Sequence, residues 1–164
     1  MKPKYSARRP FLPTAMTLAG LALAATNAHA VIYYWDNNGT TAGFGTAAGT
    51  WAAPTTGSIT QGWSQSSTGA ITPVNVTTTT SDTLNFGTGA NNLGFDTITV
   101  SGTVNAGNLN FQTTSASAGP SPFTLTGGTI NLAATSTIFN GNNVNTIDSA
   151  LSGATNLTIP GVEP

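Results

Sequence analysis

The chain has 164 residues and a formal net charge of −1, but only 5% of its residues are charged and none is cysteine. All four basic residues, Lys2, Lys4, Arg8 and Arg9, lie within the first nine positions, and from Val31 onward there is no Lys, Arg, His, Cys or Met. This removes most catalytic bases, nucleophiles and anion clamps, and it leaves no electrostatic basis for binding nucleic acid or anionic headgroups.

Residues 1–30 read as a signal peptide. Lys2 to Arg9 form a basic head, Ala15 to Ala25 an apolar run of eleven residues, and Ala28-His29-Ala30 a small-x-small cleavage pattern. That run is too short to cross ~30 Å of hydrocarbon as a helix, so the mature chain is expected to carry no transmembrane segment. Cleavage is expected near Ala30, giving an exported protein of the periplasm, cell surface or medium. His29 falls inside the cleavage pattern and receives no ligand role. Arg8-Arg9-Pro10-Phe11-Leu12 has the form of a twin-arginine core, but an ordinary basic head is the favoured reading, because no preloaded cofactor is indicated downstream. Export implies an oxidising compartment, yet no disulfide is available to staple the fold, so it must rely on repetitive packing or on a larger parent structure.

Residues 31–82 hold every Trp of the chain, together with Tyr33 and Tyr34. Strand candidates here are Val31 to Trp35, Gly49 to Ala52, Gly62 to Ser64 and Val74 to Thr80. The region reads as an aromatic-rich N-terminal cap whose rings cover the hydrophobic end of a repeat stack. The competing reading is a sugar-stacking platform built from Tyr34, Trp35, Trp51 and Trp63.

Residues 83–164 alternate apolar with Thr or Asn. The pairs are Leu84/Phe86, Ile98/Val100, Leu109/Phe111, Phe123/Leu125, Ile130/Leu132 and Leu157/Ile159, each predicting a strand with one apolar face. Thr suits such strands because its branched Cβ restricts χ1. GTGANN, SGTVNAG, TGG and NGNN read as the turns between them. The leading residues Thr83, Asn108, Thr129 and Asn156 are 25, 21 and 27 apart, a loose period that predicts stacked coils. The expected fold is all-β: a parallel β-helix, or β-solenoid, over 83–164 behind the cap. A β-sandwich or jelly roll is the alternative, although it calls for turns every 8–12 residues and tight hairpins.

The chain resembles the N-terminal passenger part of bacterial autotransporter-associated β-strand repeat proteins. The likeness rests on Tyr34-Trp35-Asp36, Gly49-Thr50-Trp51, Gly62-Trp63-Ser64 and Asp82-Thr83-Leu84-Asn85-Phe86-Gly87, then on residues 97–111, 123–132, 147–153 and 156–158 in order. It implies an exported, surface-displayed or secreted passenger built as a right-handed parallel β-helix without a defined catalytic site, serving adhesion or surface structure. Its partners would be surface polysaccharide or other cell-surface proteins. In that family further repeats follow and a membrane barrel or sorting tail ends the chain; here Ile159-Pro160-Gly161 stands in their place, so the coil region is expected to be truncated.

Other functions are weighed on their chemistry. No cofactor or metal site is expected: from Asp36 onward an EF-hand count puts glycine at the fourth position and Ala47 at the twelfth, which fails the calcium-loop pattern. A glycoside hydrolase needs only two carboxyl groups, for which Asp82 and Asp96 are the candidates, but both precede strands where Asp makes local turn hydrogen bonds. Asp36 and Asp148 read the same way, and no enzyme activity is expected. A carbohydrate- or ice-binding module is the remaining alternative, because Thr97-Ile98-Thr99 and Thr124-Leu125-Thr126 would turn their threonines outward.

Overall fold

The computed structural model describes residue 1 and residues 29–55, 62–111, 122–141 and 144–160. The signal peptide assigned to residues 1–30 falls almost wholly outside these. The described residues form thirteen strands and no helix. They are β1 (Ile32–Asp36), β2 (Gly49–Trp51), β3 (Gly62–Ser64), β4 (Thr83–Phe86), β5 (Asp96–Val100), β6 (Thr103–Ala106), β7 (Asn108–Phe111), β8 (Phe123–Thr126), β9 (Thr129–Leu132), β10 (Thr135–Asn140), β11 (Thr146–Ile147), β12 (Ala150–Ser152) and β13 (Asn156–Thr158).

The strands make three sheets, ordered β13-β10-β7-β4-β1-β3, β11-β8-β5-β2 and β12-β9-β6. From β4 onward, each strand pairs in parallel with the strand three places later in the chain. Only β1 with β3 is antiparallel among the strand pairs. A sandwich requires antiparallel hairpins, so this pairing does not fit the sandwich alternative.

Register follows from burying one face. Leu84 sits on Leu109 and Phe86 on Phe111; Leu109 in turn pairs with Ile138. Ile98 sits on Leu125 in the second sheet, and Val104 on Ile130 in the third. All of these side chains are buried. Shifting any strand by one residue would exchange this file for the Thr/Asn face, at roughly 1.5–3 kcal/mol per exposed side chain. Phe86, Phe111 and Phe123 meet at 5.2–5.3 Å between ring centroids, joining the first two sheets through the core.

The polar faces are also registered. Asn110 Nδ2 donates to Asn85 Oδ1 at 3.1 Å, across 25 residues of chain, and Asn85 Nδ2 donates to the Tyr33 carbonyl at 3.1 Å. In the third sheet Asn131 Nδ2 donates to Asn105 Oδ1 at 2.8 Å, 26 residues apart, and the Ser152 hydroxyl lies 3.4 Å from Asn131 Oδ1. The bends between sheets are narrow. Gly128 has φ +37°, and a Cβ there would meet the Gly102 carbonyl oxygen at 2.5 Å. Gly107 packs so closely beneath the Asp82 carbonyl that a Cβ would come within 2.7 Å of it.

Several expectations need correcting. SGTVNAG is not a turn: Thr103–Ala106 is a strand between single-glycine bends at Gly102 and Gly107, concealed because its inward pair, Val104 and Ala106, is so small. TINL does not stack on NLNF. Thr129 pairs with Thr103 in the third sheet, and the strand above NLNF is β10, which the alternation did not predict. Val74 to Thr80 is not a strand; Val74 makes only an isolated bridge to Trp63. Leu157 and Ile159 are exposed rather than inward. The boundary at 82/83 also divides no sheet, because Ile32 pairs with Thr83 and Thr50 with Thr99.

Candidate functional site

The aromatic cluster is the first place to look for a ligand. Trp63, on β3, forms its hub. It meets Trp35 at 5.1 Å and Trp51 at 5.3 Å, both edge-on at 81°, and Phe86 at 5.7 Å. Trp35 Nε1 donates to the Ala48 carbonyl at 3.1 Å and Trp51 Nε1 to Thr78 Oγ1 at 3.3 Å, whereas the buried Trp63 Nε1 has no partner. Sugar stacking needs an open ring face. Trp35, Trp51 and Trp63 are each 0% exposed, so the platform reading fails for these three: their faces are spent on one another. Tyr34 is half-buried and lies flat on Phe44 at 5.7 Å and 8°, which covers one of its faces.

The acids do not converge either. Asp82 is 3% exposed. Its Oδ1 accepts from the Val31 amide at 3.0 Å, and its Oδ2 accepts from the Thr79 amide at 2.7 Å and the Thr79 hydroxyl at 3.0 Å. Its own carbonyl accepts from Gly107 and Asn108 at 2.7 and 3.2 Å. This residue thus ties the entry of β1 to the starts of β4 and β7, and its lone pairs serve the fold. Asp96 opens β5 in a different sheet, is exposed, and accepts from the Thr97 amide at 2.8 Å. Asp148 is exposed beyond β11. Among the described residues no three His, Cys, Asp or Glu side chains form a cluster that could hold a metal ion.

Asp36 is buried at the end of β1, and burial pushes its carboxyl up to about 6, against the lowering effect of the Asn38 and Gly39 amides. The Asn38 amide donates to Oδ1 at 3.0 Å. Because its pKa is higher folded than unfolded, the folded state takes up this proton first as pH falls. The stability linked to Asp36 is therefore expected to rise between about pH 6 and pH 4 and to be lowest above pH 6. Urea titrations at pH 7.5 and 4.5 check this: Asp36→Asn should narrow the difference between the two relative to wild type.

Two surfaces remain. Comparison with protein-family models, curated proteins and solved structures found no match to this chain, so their reading rests on geometry. At one end of the stack, β13, β11 and β12 are the terminal strands of the three sheets. A cleft of about 310 Å³ opens there among Phe111, Ile138, Asn145, Ile147, Leu151 and Ile159. Along the second sheet lies a set of threonines. Thr97 and Thr99 face outward as expected, with Ile98 and Val100 inward. Sequence reasoning missed two members, Thr50 and Thr146, because one lies in the aromatic region and the other in a two-residue strand; their pairing with Thr99 and Thr124 brings them in.

Proposed function

We propose that the chain is an exported passenger of the autotransporter-associated β-strand repeat type. In this reading residues 83–164 wind as a right-handed parallel β-helix behind an aromatic-rich cap over 31–82, and the chain acts as structural or adhesive material at the cell surface, without catalysis. The observation that carries it is the coil-to-coil register, in which asparagines 25 and 26 residues apart donate amide to amide in two separate sheets. Crossovers between parallel strands of one sheet are almost always right-handed, which supports the right hand. The buried tryptophans and the antiparallel β3 at one end of the first sheet support the cap over 31–82. The polar faces carry Thr, Asn and Ser with almost no charge, a surface that is solvated without being reactive.

The export element rests on the basic head and the cleavage pattern of residues 1–30. The test expresses the full chain in a Gram-negative host. Processing before Val31, followed by protease-accessible protein at the cell surface or in the medium, is expected; full-length protein retained in the cytoplasm would overturn the reading. Adhesion is read separately, as attachment of cells displaying the processed chain to polysaccharide-coated surfaces.

A further inference from the structure

The outward face of β2, β5, β8 and β11 is an array with two repeats. One file runs Thr97, Thr124, Thr146. The other runs Thr50, Thr99, Thr126. Thr97, Thr99 and Thr146 are exposed and the other three half-buried. Between the files the side chains of Ile98 and Leu125 are buried and Ile147 is half-buried, so the threonines stand clear of the apolar file. Strands lie ~4.8 Å apart and alternate residues ~6.7 Å apart along a strand. The hydroxyls and methyls are therefore set on a nearly rectangular grid. No basic residue lies in the array, and the acids Asp96 and Asp148 stand at its margins, preceding Thr97 and following Ile147.

We infer that this face binds ordered water, as the surface of ice. With O–H···O bonds of ~2.75 Å and tetrahedral geometry, second-neighbour oxygens of a water lattice are ~4.5 Å apart. A file of three hydroxyls at the strand spacing stays in step with such a row, the mismatch adding up to only ~0.6 Å over three strands. Methyl groups beside each hydroxyl fill the gaps of the lattice rather than binding liquid water strongly. A sugar is the weaker fit, since recognition of a pyranose ring favours an exposed aromatic face, and the three tryptophans are buried in the core. The inference needs only the register of these four strands and not the passenger reading, so the two can fail separately.

The test is partition of the purified chain into slowly grown ice, alongside inhibition of ice recrystallisation. Wild type should be enriched in the ice. Thr124→Lys, at the centre of one file, should lose that enrichment, and Thr99→Lys in the other file serves should the first variant fail to fold by circular dichroism. Thr103→Lys, an exposed position on the third sheet, should retain it. Exclusion of wild type from ice overturns the inference, as does equal enrichment of all the variants. Capture on a glycan array that is lost in Thr124→Lys, with no ice enrichment, would assign the face to sugars instead and overturn it as well.

Discussion

Asp82→Ala is expected to lower the unfolding free energy by about 3 kcal/mol, because it removes three hydrogen bonds to a carboxylate and leaves half-buried donors without that acceptor. Small domains have only about 5–15 kcal/mol in total, so a large part of the folded population should be lost at 37 °C. The effect is large because one side chain joins sequence-distant elements. It holds Val31 at the entry of β1 and Thr79 ahead of β4, while its backbone carbonyl accepts from the start of β7. Asp82→Asn should fall between wild type and alanine, since an amide keeps one acceptor but turns an NH₂ toward a donor. Thr79→Ala keeps the amide bond but removes the hydroxyl's bond to Asp82 and the one it accepts from the Ser81 amide, and should cost about 1–2 kcal/mol. Urea denaturation followed by circular dichroism separates the three. Equal midpoints for wild type and Asp82→Ala would remove Asp82 from the joint.

Leu109→Asp is the second large effect. Leu109 is fully buried and stacked between Leu84 and Ile138. Truncating a buried leucine alone costs about 2–5 kcal/mol, and an unpaired carboxylate in the same place adds a desolvation cost of several kcal/mol more. Together these exceed what a domain of this size retains, so the variant should be cleaved by protease at concentrations that wild type withstands. Leu109→Ile keeps the volume and should cost under about 1.5 kcal/mol. Equal protease resistance of Leu109→Asp and wild type would contradict the inward file.

The inward faces were legible where the apolar side chains are large. TLNF, TITV, NLNF, FTLT and TINL were all read as strands, and the paired apolar residues of each are buried. Four strands escape the alternation: β11 and β12 are only two and three residues long, while β6 and β10 are hidden for opposite reasons. In β6 the inward residues are Val104 and Ala106, too small to mark a face against their glycine flanks. In β10 a serine takes the inward position, with Ser136 buried and its hydroxyl donating to backbone carbonyls, so the alternation is broken by a polar residue. The false period through Thr129 has a related cause. Strands of different sheets share one composition, so sequence spacing cannot tell a strand of the next sheet from the next strand of the same sheet. The candidate sugar platform shows the limit for sites: an aromatic cluster at a cap and one at a binding face have the same composition, and only burial separates them. The threonine face was half legible, as two T-x-T segments whose alignment depends on loop lengths that carry no pattern.

The registration of three parallel sheets is the central claim, and paired cysteines test it most directly in a chain that has none of its own. Adjacent parallel strands bring partner Cα atoms to ~4.8 Å, within the range a disulfide spans. Thr129→Cys should close an intramolecular disulfide with Thr103→Cys, its registered partner in β6, under mild oxidation of the native protein. It should not close one with Asn108→Cys, which lies in another sheet although sequence period places the two together. Closure of the Asn108/Thr129 pair in preference to the Thr103/Thr129 pair would contradict the register and the stacked arrangement built on it.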